Sequence, residues 1–321
     1  QSLPNQAVVR EALQAAEYVV LQEAYANTDT ADYADLLLPA SGWGEKYGTV
    51  TNSERCITRV MPAVPPPGEA RHDWQIVVDF ARLLGEKLDH SGVDRLFPYA
   101  DAEDIFNEHR ESTRGRDLDI TGLSYELLAT LGPQQWPYPE GASAGKVRLY
   151  EDGIFPTADG KARFVAIEHL PTADTLNVDA PISLLSGRMR DHWHGMSRTG
   201  TVPRLFNLED EPLLAMHPCD MRHRALDTGD LVKVSNGRGE MTVRVTEQAG
   251  LLRGRAWMPM HWGSQFMNSP GANAVASDAI DPFSKQPELK HAAVQIAKLD
   301  LPYPLAIIRR CPDQQSALEL M

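Results

Sequence analysis

The stretch DLVKVSNGRGEMTVRVT, residues 230–246, decides the fold of the second half of the chain. Leu231, Val232, Val234, Met241, Val243 and Val245 are apolar and largely alternate with polar neighbours, which is the period of a strand with one buried face. Between the two runs, Asn236-Gly237-Arg238-Gly239 supplies the residue types of a tight hairpin turn. Working outward, PISLLSG (181–187), GRAWMPM (254–260) and AAVQIAKL (292–299) have the same short apolar texture. Several short strands spread over residues 179–300 predict a closed β-barrel whose loops carry the function.

The first part of the chain has a different texture. Val9, Leu13 and Ala16 fall at helical spacing, and YVVLQ (18–22) reads as a short buried strand. LLLP (36–39) is a second apolar run, stopped by its proline. DWQIVVDFARLLGEKL (73–88) places Trp74, Ile76, Val77, Phe80, Leu83 and Leu84 on one helical face, with Asp73 as N-cap and a stop near Gly85. These alternations predict an α/β layer over residues 1–115. DAEDIFNEHREST and TGLSYELLATLG read as further helices, the second opening at a threonine cap and ending at Gly132-Pro133. The Pro- and Gly-rich GPQQWPYPEGASAG lies in a helical and irregular connector, residues 116–178.

At 321 residues the chain has room for two domains, and its 42% hydrophobic and 23% charged residues are those of an ordinary globular protein. A formal charge of −13 speaks against nucleic acid or an anionic membrane surface as partner. It leaves room for a small anion held by a local cluster of Arg and His. No apolar run approaches the roughly 18–20 residues that span a bilayer. The opening residues are polar and mixed, unlike a signal peptide, although one can precede Gln1. Cys56, Cys219 and Cys311 are far apart and form no CxxC pair, which excludes a self-contained four-cysteine cluster in this chain. They read as inert buried thiols in a reducing, cytoplasmic compartment.

Three constellations can carry chemistry. The densest is SGRMRDHWHGMSRTG, residues 186–200, directly after the PISLL strand. Its glycines let backbone approach a ligand, its arginines fork onto phosphate oxygens, and its Trp and His offer faces to a heterocycle. The same composition also fits a solvated basic loop or a network that staples two domains. His192 and His194 lie two apart but lack a third partner at a metal-binding spacing. The second constellation, EKYGTVTNSERC (45–56), is a polar loop opened by a lysine. The third, residues 260–290, is a long aperiodic stretch whose aromatic and apolar residues predict an ordered loop. There is no GxGxxG, P-loop, GxSxG or HExxH.

Taken in order, these segments resemble the dimethyl-sulfoxide-reductase family of molybdenum enzymes. TDTADYADLLLPASGWGEKYGTVTNSERC and PPGEARHDW are similar to its T-E-T-A-x-x-A-D-x-x-L-P, E-K-x-G-T-x-T-N-x-E-R-R and P-G-E-A-x-x-D-W stretches. SGRMRDHWHGMSRTG resembles the segment T-G-R-x-x-x-x-W-H-T-x-T-R at the entry to the family's C-terminal barrel. HPCDMRHRALDTGDLVKVSNGRGEMTVRV and DPFSKQPELK resemble the barrel strands and the closing D-P-x-S-x-Q-P-E-x-K. Within the family, RDHWHGMSRTGTVPRL and PMHWGSQF look most like assimilatory nitrate reductases, with formate dehydrogenases as the nearest competitor.

The resemblance implies a partial Rossmann-like α/β domain (1–115), the connector (116–178), a double-psi β-barrel that binds the molybdopterin dinucleotide (179–300) and a truncated tail (301–321). It implies a bis(molybdopterin guanine dinucleotide) molybdenum cofactor and reduction of nitrate to nitrite, with ferredoxin, flavodoxin or an NADH-linked subunit as electron donor. Carried over, the cofactor-binding positions are Gln22, Glu23, Lys46 and Asp73, then Ser186, Gly187, Arg188, Met189, Arg190, Asp191, His192, Trp193, His194 and Gly195, then Asn273 and Lys290; Gln265 falls near the substrate funnel. Cys56 stands where the family usually has a second Arg, and Ser186 and Gly195 replace common threonines. The family's [4Fe-4S] cysteines and its cysteine ligand to molybdenum are expected upstream of Gln1, in the rest of a parent chain. No catalytic or metal-ligating residue is expected in this chain, and a non-catalytic nucleotide-binding or interaction module is the reading of a different class.

Overall fold

The computed structural model describes residues 2–209 and 211–300. The expected tail over 301–321, with Cys311, lies outside the described residues. The chain divides into two compact units, Ala16–Leu170 and a second drawn from Gln1–Ala15 and the chain from Pro171 onward. Helix α1 (Gln6–Ala15) therefore falls in the second unit, where the backbone N–H of Asn5 donates to the Ala276 carbonyl at 3.2 Å.

Within Ala16–Leu170, β1 (Val20–Glu23) and β2 (Leu36–Pro39) form a parallel pair, with Gln22 opposite Leu38. The first was expected to be buried, yet Val20 is 51% exposed, as are Leu36 and Leu37 of the second apolar run at 41% and 45%. The cause is the width of the sheet, since the pair has no third strand on either side among the described residues. Parallel sheets are ordinarily wider and covered on both faces. The expected polar loop over 45–56 is instead a hairpin of β3 (Gly48–Thr51) and β4 (Cys56–Val60). Its Thr and Val residues are β-branched and favour the pleat. Asn52 shapes the turn by accepting the Glu54 and Cys56 amides at 3.0 and 2.9 Å.

Helix α2 (Asp73–Lys87) matches the expected apolar run, with two corrections. His72 is the N-cap, and Asp73 is the first helical residue. Gly85 does not stop the helix: a Cβ there would lie 2.6 Å from the Val93 side chain, so the glycine serves the close approach of α3 (Val93–Leu96). The expected core face is also turned outward. Val78 and Gly85 are buried, whereas Val77, Phe80 and Leu83 are 54%, 62% and 61% exposed. Helix α4 (Ala102–Ser112) opens on Asp101, whose carboxylate accepts the Glu103 and Asp104 amides at 2.8 and 3.0 Å. Helix α5 (Tyr125–Leu131) is capped by Ser124 and not by Thr121, whose hydroxyl is engaged by Asp119. A short β5 (Gln134–Gln135) pairs with β4, and Ile57, Phe106, Ile120, Leu123, Tyr125 and Leu128 form the core beneath.

In the other unit, β6 (Ile182–Gly187) is followed by a one-turn helix α6 (Pro203–Phe206), β7 (Leu213–Met216) and α7 (Pro218–His223). Then come β8 (Leu231–Asn236), β9 (Gly239–Glu247), β10 (Arg255–Pro259) and β11 (Ala292–Lys298). The strands close into a barrel in the order β10-β6-β11-β8-β9-β7. Closure leaves no sheet edge to solvent. Strand β7 is the one the sequence reading did not single out. Side chains of alternate residues fill the interior, where Leu214, Val232, Val234, Val245, Ala256 and Met258 have no exposed surface. β6 and β10 run parallel, with Met258 opposite Ser186 and Pro259 opposite Gly187. Both chains consequently leave the barrel at the same end.

A strap before β6 is bound to the barrel through Asp174. Arg238 donates to both of its carboxylate oxygens, and the Ala293 amide donates to one of them at 2.7 Å. Arg238 also reaches the Val275 carbonyl at 2.9 Å, and the His291 Nε2–H donates to the Asp174 carbonyl at 2.6 Å. Residues 271–277, inside the expected long loop, are all buried around a 3-10 turn at Ala272–Ala274, so the loop is ordered as its composition predicts. Cys56 and Cys219 are free and only partly buried, and Arg222 and Arg253 donate to the Cys219 sulfur at 3.1 and 3.2 Å. Among the described residues no helix is long and apolar enough to cross a membrane.

Candidate functional site

Each unit gathers its own share of the expected binding residues. In Ala16–Leu170, three of them meet at the start of α2. Gln22, near the end of β1, donates from Nε2 to Asp73 Oδ1 at 2.9 Å. Lys46, two residues before β3, donates from Nζ to Asp73 Oδ2 at 2.5 Å. Its ammonium also lies 5.3 Å from the centre of the Trp43 ring. Behind them, His72 Nδ1 lies 3.0 Å from the Ser41 hydroxyl and the His72 ring stands edge-on to Tyr47. Glu23 turns back on its own chain, accepting the Ala24 amide at 2.8 Å.

The electrostatics of this cluster centre on Asp73. Burial raises its carboxyl pKa, but the hydrogen bonds from Lys46 and Gln22 and the lysine charge outweigh burial, so the net shift is downward. His72 is lowered, first by burial and then by Lys46. The Asp73 side chain remains 55% exposed. A carboxylate oxygen has two lone pairs, so each Asp73 oxygen keeps one acceptor site for an incoming N–H pair. At the first turn of a helix, the carboxylate is further favoured by the positive end of the helix dipole.

In the barrel unit the expected residues line the loop that leaves β6. Ser186 Oγ donates to the Leu289 carbonyl at 2.6 Å, and Lys290 Nζ donates to the Ser186 carbonyl at 3.3 Å. Gly187 lies flat against Trp257, where a Cβ would come within 2.6 Å of the indole nitrogen. Arg188, Arg190, Trp193 and His194 are exposed, with the Arg188 guanidinium 5.4 Å from the centre of the Trp193 ring. Arg190 is engaged by its neighbour Asp191 at 2.9 Å. Gly195 is half-buried. His192 turns inward instead: it is 4% exposed, its Nε2–H donates to the Glu209 carbonyl at 2.9 Å, and its Nδ1 lies 3.1 Å from the Thr199 hydroxyl. Asn273 is also buried and donates to the Ser2 carbonyl at 3.1 Å. Gln265 is half-buried. A cavity of about 320 Å³ opens beside the loop, between Met189, Glu209, Leu213, Trp257 and Pro259.

Two participants were missed from sequence, His261 and Trp257. Trp257 belongs to β10, which the sequence reads as plain strand, and His261 to its exit, inside the 260–290 stretch, where the histidine is not singled out. The concentration of Trp and His at a strand end was the available signal. Among the described residues, no group of three or more His, Cys, Asp or Glu is arranged to hold a metal ion. The barrel unit offers exposed guanidinium groups and an exposed indole, and Ala16–Leu170 separately offers a polarised carboxylate, groups suited to anionic and flat ligands.

The molydopterin dinucleotide binding domain family matches residues 182–293, and the molybdopterin oxidoreductase family matches residues 1–83. A nitrate reductase of Klebsiella oxytoca is 39% identical over 304 residues, which cover 92% of this chain and 34% of that protein. The assimilatory nitrate reductase catalytic subunit of Bacillus subtilis is 34% identical over 297 residues, covering 92% of this chain and 40% of that one. An F420-dependent formate dehydrogenase subunit alpha of Methanocaldococcus jannaschii is 34% identical over 296 residues, with 41% of its length covered. Among solved structures, acetylene hydratase from Pelobacter acetylenicus shares the fold with a TM-score of 0.63 at 19% identity, over 92% of this chain and 42% of that one. The chain thus spans well under half the length of each of these relatives. With both family matches in order along it and relatives of the same kind over 92% of its length, the chain belongs to the molybdopterin oxidoreductases and carries their dinucleotide-binding domain.

Proposed function

We propose that this chain is the C-terminal, cofactor-holding portion of a cytoplasmic assimilatory nitrate reductase. The reading is carried by one observation: nitrate reductases align over 92% of the chain, including the Gly-Arg-Trp loop that leaves β6. On this reading the cofactor is a bis(molybdopterin guanine dinucleotide) molybdenum centre, the barrel is of the double-psi type, and β1, β2 and α2 are part of a Rossmann-like layer. Two parallel strand pairs, β6 with β10 and β7 with β9, support the barrel type.

The residues present fit a pterin dinucleotide. Gly187 is held so close to Trp257 that no side chain fits, which keeps the start of the loop tight against β10. Arg188 would fork onto the pyrophosphate, Trp193 would lie against a heterocycle, and Lys290 would neutralise phosphate or pterin oxygens. Asp73, pinned by Lys46 and Gln22, would accept the N–H pair on a guanine edge. When bound, the molybdenum centre supplies oxygen-atom transfer, taking one oxygen from nitrate as two electrons and two protons give nitrite and water. The chain's own part is to orient the dinucleotide and to surround it with fixed dipoles and charges. The [4Fe-4S] cluster, the metal ligand and the docking of ferredoxin, flavodoxin or an NADH-linked subunit belong to the rest of the parent protein.

The test is enzymatic. This chain alone is expected to bind little molybdenum and to reduce no nitrate with reduced viologen. Robust activity from it would overturn the reading. Joined to the remainder of its parent, it should reduce nitrate and leave formate unoxidised. Formate oxidation by the joined protein would favour the second reading, which rests on the formate dehydrogenase relative.

A further inference from the structure

The loop that leaves β6 holds a shape its sequence does not favour. His194 and Met196 have φ of 44° and 61°, both in the left-handed region, and neither is glycine. Non-glycine residues persist there only where the surroundings over-determine them. Met196 is fully buried, which fixes one of the two. The other is fixed from the far side of the β6–β10 pair. The Met260 amide extends the ladder onto the Gly187 carbonyl at 2.9 Å, and this brings the next residue, His261, under the loop.

His261 has no exposed surface. Its Nε2 accepts the Met189 amide at 2.8 Å and its Nδ1 lies 2.8 Å from the His194 carbonyl. These two partners define the tautomer, because a carbonyl needs a donor and an amide needs an acceptor. The ring is thus neutral, protonated at Nδ1, and bridges the two ends of the segment that displays Arg190 and Trp193. We propose that His261 is the positioning residue of the cofactor-facing loop, stapling Met189 to His194 as a neutral imidazole and releasing Met189 when Nε2 takes a proton. A protonated Nε2 would point a donor at the Met189 donor, and that hydrogen bond cannot survive.

Burial of His261 lowers its pKa most; the hydrogen bond to His194 acts upward, and His192, Arg188 and His194 act downward, for a net lowering from 6.5. The rings packed against it are His192, at 5.8 Å between centroids, and Trp262, at 6.3 Å. The staple is therefore complete at neutral pH and is lost as pH falls through the lowered value. It stands on geometry within the barrel unit; only its consequence for ligand binding rests on the function proposed above.

The test uses the full chain, labelled with ¹⁵N, and its His261→Phe variant, which keeps a ring and lacks both hydrogen bonds. In the parent sequence, ring nitrogen shifts should show an Nδ1–H tautomer at neutral pH. Met189 amide exchange, corrected for intrinsic pH dependence, should accelerate about tenfold or more as His261 protonates, the scale of a lost buried hydrogen bond. In the Phe variant Met189 should exchange fast at every pH, while the β8 and β9 amides stay protected. His261→Asn, whose amide can still donate to His194, should fall between the two. Met189 protection that ignores both the titration and the Phe substitution overturns the staple. If the Phe variant does not fold, the titration of the parent chain decides alone. GDP, used as probe, separates the two ideas: weaker GDP binding in the Phe variant supports the consequence for the ligand. A loosened loop with GDP bound by neither protein leaves the staple standing and removes the cofactor reading.

Discussion

Replacing Asp174 with alanine removes the acceptor on which the strap before β6 is hung. Its carboxylate takes two donors from Arg238 and one from the Ala293 amide, and its side chain is 14% exposed. A hydrogen bond to a charged group contributes about 1.5–3 kcal/mol, and a buried amide left without an acceptor costs about 1–3 kcal/mol. An exposed ion pair would add only about 0–1 kcal/mol, so the decision turns on burial. Arg238 keeps the Val275 carbonyl and is 24% exposed, so water relieves part of its loss. The expected cost of Asp174→Ala is about 3 kcal/mol, and that of Asp174→Asn, which keeps an oxygen for Ala293, about 1–2 kcal/mol. The pH dependence has a defined sign. Burial raises the Asp174 pKa, but the bonds from Arg238 and Ala293 and the arginine charge more than offset it, leaving the group below 3.8. A carboxyl lowered in the folded state contributes stability above its ordinary value and loses it as pH falls toward the lowered one. Urea unfolding of the barrel, followed by exchange of the β8 and β9 amides, measures both effects. A cost for Asp174→Ala under about 1 kcal/mol at neutral pH, or one unchanged below pH 3.8, would refute the reasoning.

Three further outcomes follow from geometry. Gly85→Ala, which in an open helix would stabilise by up to about 1 kcal/mol, should instead destabilise by about 1–3 kcal/mol, because its Cβ meets the Val93 Cβ and Cγ2 at 2.6 Å; in a Val93→Gly background, which lacks those atoms, the same substitution should stabilise instead, as read by thermal melting. Leu214→Ala, at a fully buried barrel position, should cost about 2–5 kcal/mol in urea without changing the secondary structure seen by circular dichroism. Asp73→Asn should change stability by less than about 1 kcal/mol, since the pair with Lys46 is half exposed, yet weaken GDP binding measurably by calorimetry. Equal GDP affinity in the two proteins would remove Asp73 from the binding surface.

The barrel was the most legible part of the chain, because a half-buried antiparallel hairpin prints its period directly into residues 230–246. β7 escaped notice because it is four residues long and apolar throughout, with no alternation to read. The reverse happened on α2: its helical period was plain, but the period does not say which neighbour covers the apolar face, and Phe80 and Leu83 point outward. The 45–56 segment looked like a loop because Gly, Thr, Ser and Asn serve turns and strand edges alike, and pairing with β5 depends on residues some eighty positions away. The candidate binding residues come from family resemblance. What the resemblance did not convey was their orientation, with His192 and Asn273 turned inward and Arg188 and Trp193 turned out. For His261 the local signal goes no further than the Trp and His gathered at a strand end, since its role exists only once β10 lies beside β6.

That side-by-side arrangement makes the ladder a ruler. Each residue advances a strand by about 3.3 Å and reverses the face its side chain takes. Met260 is tied to Gly187, and His261 comes one step later. Removing or adding one residue between Pro259 and His261 would swing the imidazole to the opposite face, whatever residues flanked it. Length change should therefore be refused in the two positions after β10. Among variants of this barrel, a gap at that point would be more telling than any substitution.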